Sequence, residues 1–386
     1  MVKKIWTWTC NQKTFFDKVD AIKESNNHNQ PIYFCTPTAY DQFPWFQEPQ
    51  QSWPAVLAER AHEIRDSSEH INLLYSGGCD SQTMLNTFIK NQIHIDEITC
   101  IRLLGDHASR QDADFEVNSV AVSYLNSLKK YLTKTKITFF DLNFDDYVKF
   151  YSNERWIEGR MKVPTTQRFR LTAESMDQIF KNDSLNKSTI LLGRDKPTIL
   201  YVNNNWYCYF LDVDLEIRSS ITNSNCVYFY ADSPKVNAKQ CHMLKNYLEN
   251  TFKTDQYDTL KKIKSIDQSH INFGSGRLEQ LNSAFIYKDL NDKTVVELKN
   301  KESLTIFNNK DIIAVQSISS DYHNMDNLLT KYKRGVENIT AEVGKKWFNQ
   351  GNPGLGSIGI FSKFYCLNFP NISTVDELFP TGFKNS

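Results

Sequence analysis

Residues 71–81 read INLLYSGGCDS, a short apolar run followed by a loop rich in glycine and serine. The run Ile71–Tyr75 has the length and composition of a buried β-strand. From Asp80 to Lys90 the apolar residues recur at helical spacing, so a helix is predicted to begin where the loop ends. The sequence therefore predicts a strand, a tight loop and a helix in immediate succession.

The loop between this strand and helix is suited to binding a phosphate group. Gly77 and Gly78 let the backbone turn sharply and come close to a bulky anion. The consecutive N–H groups and the first turn of the helix then point at that anion, and the helix dipole adds to the attraction. The hydroxyls of Ser76 and Ser81 can donate to phosphate oxygens.

Asp80 is the one residue of the loop that would repel a phosphate. A cation between the two would remove the repulsion, which makes Asp80 a candidate Mg²⁺ ligand and a candidate catalytic residue. No lysine follows the glycines, so this is not the G-x-x-x-x-G-K-[ST] loop of kinases and GTPases. The missing lysine argues against transfer of the γ-phosphoryl group.

A strand, the hexapeptide Ser-Gly-Gly-x-Asp-Ser and a helix together resemble the PP-loop ATP pyrophosphatases, also called adenine nucleotide alpha hydrolases. That superfamily includes asparagine synthetase and NAD synthetase. The resemblance implies ATP and Mg²⁺ as cofactors, and cleavage of ATP between its α- and β-phosphates. It assigns the nucleotide to the whole loop: Ser76, Gly77, Gly78, Cys79, Asp80 and Ser81.

A later strand, Ser188–Leu192, leads into Gly193-Arg194-Asp195-Lys196-Pro197. This segment resembles a glycine- and acid-containing loop of asparagine synthetase, although Asp195-Lys196 stands where that family has Asp-Glu. The resemblance implies a nucleotide contact at Gly193, a metal ligand at Asp195, and catalytic roles for Arg194 and Lys196 in neutralising the departing pyrophosphate. The alternative is an exposed charged turn before Pro197.

The same resemblance implies where the adenine lies. It places the base against the ends of the first two strands, near Leu74, Tyr75, Ile101 and Leu103. Backbone groups hold most of the base in that superfamily, so the identity of these side chains adds little.

The surrounding pattern predicts an α/β fold with a parallel, doubly wound, HUP/Rossmann-like sheet. Predicted strands at Glu97–Leu104, Lys136–Leu142 and Ser188–Leu192 alternate with helices, including a long one at Asp112–Leu132. A hairpin is predicted from Thr198–Val202 and Trp206–Leu211. We assign residues 55–235 to this domain, and the resemblance to asparagine synthetase extends over about the same residues.

The ends of the chain are predicted to form separate regions. Residues 1–54 form a small unit with a strand at Ile5–Thr9, a helix at Lys13–Lys23 and an aromatic connector that packs onto the main body. Residues 236–386 are predicted to be mostly helical and to supply the substrate pocket, with Trp347–Leu367 as a candidate lid. The predicted helices are Asn237–Phe252, Tyr257–Ile266, Gly276–Tyr287 and Asn327–Val343.

Composition excludes several classes of protein. The chain has 386 residues with Lys+Arg and Asp+Glu equal at 45 each, so no general nucleic-acid-binding surface is predicted. No signal peptide or membrane-spanning stretch is recognisable, which predicts a cytoplasmic protein. The 8 cysteines include no C-x-x-C pair, so reduced thiols are expected. The abundance of Asn, Lys, Phe and Tyr is typical of AT-rich genomes, some of them viral.

Three functions fit these observations. The first is a ligase-like enzyme that adenylates a carboxylate or carbonyl oxygen and then passes the product to an amine or ammonia. The acceptor is an unknown small molecule or nucleobase. Ammonia from glutamine would need a separate subunit, because Val2 stands where asparagine synthetase has its catalytic cysteine. The second is sulfur transfer or sulfate reduction on the same fold, which would require an essential cysteine among the 8, and the third is a non-catalytic nucleotide-sensing subunit.

Overall fold

The computed structural model describes residues 6–16, 18–103, 116–142, 188–193, 197–210, 225–251 and 361–378, with the single positions 337 and 341. The strands of these residues are β1 (Thr7–Cys10), β2 (Lys13–Phe15), β3 (Tyr33–Cys35), β4 (His70–Leu74), β5 (Glu97–Leu103), β6 (Lys136–Leu142), β7 (Ser188–Leu192), β8 (Thr198–Val202), β9 (Asn205–Tyr209), β10 (Asn225–Tyr228), β11 (Phe364–Cys366) and β12 (Ile372–Ser373). The helices are α1 (Lys18–His28), α2 (Thr38–Asp41), α3 (Trp53–Asp66), α4 (Cys79–Lys90), α5 (Val122–Ser127), α6 (Pro234–Thr251) and α7 (Val375–Leu378), and a π-helical stretch at Glu116–Ala121 leads into α5.

The central sheet has five parallel strands in the order β10-β7-β4-β5-β6. From β4 the chain moves outward through β5 to β6, then returns to the other side of β4 with β7 and β10. That order is the doubly wound order of Rossmann-like folds. The predicted α/β fold with a parallel sheet is confirmed.

A large apolar cluster of this domain packs on one face of the sheet. Ile71, Leu73 and Tyr75 alternate along β4 and its extension, and all three are buried. They join a cluster with apolar residues of α3, α4 and α5. Contacts within this cluster hold α4 in place, and the first turn of α4 includes Cys79, Asp80 and Ser81 of the loop.

The predicted helix at Asp112–Leu132 is wrong at its C-terminal end. Within the described residues the helical stretch runs from Glu116 through α5 and ends at Ser127. The Ser127 hydroxyl donates to the carbonyl of Tyr124 at 2.7 Å, a local bond that competes with helix continuation. Turns then lead to β6.

Strands β8 and β9 form the predicted hairpin, but they belong to a second sheet. This antiparallel sheet has the order β12-β11-β9-β8, so two of its strands come from the far end of the chain. Phe361–Leu367, the C-terminal end of the candidate lid Trp347–Leu367, contributes β11 to this sheet, and residues 347–360 lie outside the described residues. The apolar residues of Phe361–Leu367 are buried against β9, with Phe361 and Phe364 in contact with Tyr209.

The N-terminal unit contains a three-stranded antiparallel sheet with the order β2-β1-β3. The predicted helix at Lys13–Lys23 is wrong at its N-terminal end, since Lys13–Phe15 forms β2 and helix α1 begins only at Lys18; residues 18–23 are helical as predicted. Asn11 and Gln12 explain the difference. Their positive φ angles of 50° and 62° make a two-residue hairpin turn that pairs β2 with β1.

The aromatic connector packs onto the rest of the chain, as expected. Tyr40 and Trp45 are buried, and Trp45 stacks on Tyr365 of β11 with ring centroids 4.8 Å apart. Helix α6 corresponds to the predicted helix at Asn237–Phe252. The other three predicted C-terminal helices lie outside the described residues, apart from positions 337 and 341. No helix of the described part is long and apolar enough to cross a membrane.

Candidate functional site

The loop Ser76–Ser81 lies where the winding of the sheet reverses. It follows β4, and β4 lies between β5, the next strand along the chain, and β7, the strand at which the chain returns. The connections leave neighbouring strands in opposite directions there, which opens a crevice at the carboxyl end of the sheet. Ligands of open α/β sheets bind in this position.

Hydrogen bonds among its own residues hold the loop in shape. The Ser81 hydroxyl donates to the carbonyl of Gly78 at 3.0 Å and accepts from the Ser76 N–H at 3.3 Å. The Ser76 hydroxyl accepts from the Gly78 N–H at 3.3 Å and lies 3.2 Å from the Ser81 hydroxyl. Both serines thus brace the backbone in addition to lining the site.

Glycine is required at Gly77 by the backbone itself. Its φ of 80° lies in the left-handed region, which side chains disfavour. Gly78 is the N-cap of α4 and has no side chain with which to cap the helix. The N–H groups of the first turn have no partners within a helix, so this turn can receive an anion.

Gly193, at the end of β7, packs directly against the first turn of α4. A Cβ atom at position 193 would lie 3.1 Å from the Ser81 nitrogen and 3.2 Å from the carbonyl carbon of Asp80. It would also lie 2.9 Å from the Met84 methyl group. The two segments that the sequence assigned to one site are therefore adjacent in the structure.

Tyr230 is a part of the site that the sequence did not reveal. It follows β10 and is buried, and its hydroxyl donates to the carbonyl of Asp80 at 3.1 Å. A tyrosine just after a strand is unremarkable in sequence. Only the order of the strands in the sheet shows that the end of β10 lies near the loop.

The residues predicted to surround the adenine lie at the carboxyl ends of β4 and β5. Leu74 pairs with Thr99, and the Tyr75 N–H donates to the Thr99 carbonyl at 2.9 Å, which continues the ladder past β4. The side chains of Leu74, Tyr75 and Ile101 are buried. Leu103 ends β5, and its backbone pairs with Leu142. Contact with a base at these positions stays a prediction.

Among the predicted metal ligands, the structure describes only Asp80. It lies in the first turn of α4 and is partly exposed. Arg194, Asp195 and Lys196 lie outside the described residues. Within the described ranges no group of three or more His, Cys, Asp or Glu side chains could hold a metal by itself. Because Mg²⁺ in nucleotide sites is commonly held by one or two carboxylates together with the phosphates, Asp80 still suits this ion.

Two of the described thiols, Cys100 and Cys208, are poorly suited to chemistry. Burial raises the pKa of Cys100 to about 12. Burial, together with a hydrogen bond to Cys241, also raises the pKa of Cys208 well above its ordinary value. A thiol must lose its proton to act as a nucleophile, so these cysteines are inert near neutral pH. The side chains of Cys79 and Cys226 lie outside the described set.

Fold and loop together define a class: an α/β protein of the doubly wound kind, with a glycine- and serine-containing loop at its switch point. No family model matches the chain, and no curated protein matches it. Among solved structures it is similar to an NH3-dependent NAD synthetase from Campylobacter jejuni, solved in complex with the nitrate ion. The TM-score is 0.27 at 11% identity, over 67% of this chain and 96% of that chain. A likeness this distant carries no weight for the chemistry.

Proposed function

We propose that this chain is an ATP pyrophosphatase-type ligase of the PP-loop superfamily, which forms AMP. The observation that carries the proposal is the loop Ser76–Ser81 at the switch point, with Gly193 against its helical turn. The loop lacks the lysine that accompanies γ-phosphoryl transfer, and its backbone offers several donors at one place. We assign these donors to the β- and γ-phosphates of ATP.

The reaction follows from that assignment. An oxygen of the acceptor, from a carboxylate or a carbonyl group, attacks the α-phosphorus, and the bond from this phosphorus to the bridging oxygen breaks. Pyrophosphate leaves with the electron pair and stays against the N–H groups of the loop, which stabilise its charge. An amine or ammonia then attacks the activated carbon, loses a proton and displaces AMP. Positioning and charge stabilisation suffice for both steps.

Asp80 would hold Mg²⁺, and when bound this ion neutralises charge on the phosphates. Arg194, Asp195 and Lys196 are proposed to act on the same pyrophosphate, and residues 236–386 to supply the acceptor pocket. If ammonia is the nucleophile and comes from glutamine, a separate subunit would supply it.

Two alternatives are weaker. Sulfur transfer would need a reactive cysteine, whereas the described Cys100, Cys208 and Cys241 are buried. A nucleotide-sensing subunit would bind ATP and release no AMP. The braced loop fits that role too, so the products of turnover decide between an enzyme and a sensor.

The test is to incubate the protein with ATP labelled at the α-phosphate, Mg²⁺ and a metabolite or nucleic-acid extract. We expect labelled AMP and an equal amount of pyrophosphate. Asp80→Asn should abolish this turnover while the melting temperature stays within about 3 °C, because the side chain is partly exposed. Asp66→Asn, an exposed carboxylate at the end of α3, is the matched control and should leave turnover unchanged.

The outcomes separate the hypotheses. Labelled ADP would overturn cleavage between the α- and β-phosphates. ATP binding without AMP, even with every extract supplied, would favour the sensing subunit. Full turnover by Asp80→Asn would refute the metal role of Asp80.

A further inference from the structure

Tyr230 contacts the nucleotide loop from a different strand. The loop follows β4, whereas Tyr230 follows β10, two strands away in the sheet. Its hydroxyl donates to the Asp80 carbonyl at 3.1 Å. This carbonyl belongs to the first turn of α4, the turn whose N–H groups face the proposed pyrophosphate. A hydrogen bond at this carbonyl therefore acts on the orientation of those donors.

The turn that carries Tyr230 is anchored on its backbone by α3 and β7. The buried Arg60 of α3 donates through Nε to the Phe229 carbonyl at 3.1 Å and through Nη2 to the Tyr228 carbonyl at 3.4 Å. The Phe229 N–H donates to the carbonyl of Leu192 at 2.9 Å. The turn is thus fixed to β7, the strand that directly precedes Gly193.

The N-terminal unit anchors the same turn from the other side. Asp232 is buried and accepts from the Tyr228 N–H at 2.9 Å and from Trp6 Nε1 at 3.4 Å. The hydroxyl of Tyr40 donates to the Ala231 carbonyl. Residues on each side of Tyr230 are held by separate elements. The backbone at Tyr230 is therefore fixed, and its side chain can position the loop.

Packing alone does not require the Tyr230 hydroxyl. The body of α4 is held by Met84, Leu85 and Phe88, which are fully buried in the main core. The ring of Tyr230 packs edge-on against Phe229 with centroids 5.1 Å apart, and phenylalanine would keep this contact. Loss of the hydroxyl would leave the helix in place and release only its first turn.

We propose that Tyr230 is a positioning residue, whose hydrogen bond to Asp80 holds the first turn of α4 in the orientation that grips the outer phosphates. The inference rests on the proposed function, since it needs a ligand at the loop. It ties phosphate binding to the turn 228–232, and through Trp6 and Tyr40 to the N-terminal unit.

The test compares ligands that do and do not reach the loop. Dissociation constants of the full chain and of Tyr230→Phe are measured by calorimetry for ATP with Mg²⁺, for pyrophosphate with Mg²⁺ and for AMP. We expect about 3- to 10-fold weaker binding of ATP and pyrophosphate, the size of one lost hydrogen bond, and AMP binding unchanged within about twofold. A general loss of structure would weaken all three.

Tyr209→Phe is the control, because Tyr209 is equally buried but lies in the second sheet. It should leave all three constants unchanged. Equal losses for AMP and pyrophosphate in Tyr230→Phe, or no loss at all, would overturn the positioning role while the proposed function stands. A wild-type chain that binds neither ATP nor pyrophosphate would overturn both.

Discussion

At the scale of single residues, the candidate site depends on two glycines. At each position a side chain is disfavoured, either by the backbone conformation or by steric overlap. Gly77 adopts a φ of 80°, and the backbone of Gly193 lies against the first turn of α4. Neither glycine takes part in chemistry. Gly77 instead allows the sharp turn of the loop, and Gly193 allows two backbone segments to approach closely.

Gly193→Ala should weaken ATP binding about 10-fold, because a Cβ 3.1 Å from the Ser81 nitrogen displaces the first turn of α4 by a few tenths of an ångström. The new methyl would also meet the Met84 side chain, which is flexible and can move. The double variant Gly193→Ala/Met84→Leu separates the two contacts. We expect it to bind ATP as weakly as the single variant, and recovery of wild-type affinity in titrations would show that the backbone contact is harmless.

The residues of the loop were predictable because their signal is local. Ser76–Ser81 carries its own glycines, serines and aspartate between a strand and a helix, and the structure brings Gly193 to it. Tyr230 was not predictable, since its role depends on the position of β10 within the sheet. The base contacts at Leu74, Tyr75, Ile101 and Leu103 remain predictions.

At the scale of elements, the sequence pattern predicts the parallel strands well. It predicts tight turns and the pairing of distant strands poorly. Strands β6 and β7 have the predicted bounds. In β7 the signal is a short continuous apolar run, Ile190–Leu192, as is typical of a buried parallel strand. The sequence predicts Lys13–Phe15 as helix because Asn11-Gln12 is a weaker hairpin signal than Asn-Gly. The predicted lid Trp347–Leu367 includes β11 because the partner of that strand, β9, lies some 150 residues earlier in the chain.

The two phenylalanines of the β11–β12 region test whether this segment is structural. Phe364 is fully buried in the core of the second sheet, while Phe369 is 42% exposed. Phe364→Ala should lower the free energy of unfolding by about 3–5 kcal/mol. Phe369→Ala should change it by no more than about 0.5 kcal/mol. Urea unfolding of both variants gives the comparison, and equal small effects would mean that the segment is not packed on β9.

At the scale of the whole molecule, the site is supported by parts of the chain that are distant in sequence. The N-terminal unit contacts the turn 228–232 through Trp6 and Tyr40, and it contacts β11 through a hydrogen bond from the Tyr365 hydroxyl to Asp41 at 3.0 Å. The second sheet joins residues 198–209 to residues 364–373. The parallel sheet was predictable from local pattern, whereas these long-range contacts were not.

The central claim is that the main-chain amides of residues 76–81 hold the two outer phosphates of ATP. The most direct measurement is a crystal structure of the full chain grown with Mg²⁺ and an ATP analogue that resists cleavage between the α- and β-phosphates. We predict the β- and γ-phosphates within about 3 Å of those amides, with Asp80 next to the ion. A triphosphate bound elsewhere, with the loop unchanged, would contradict the account.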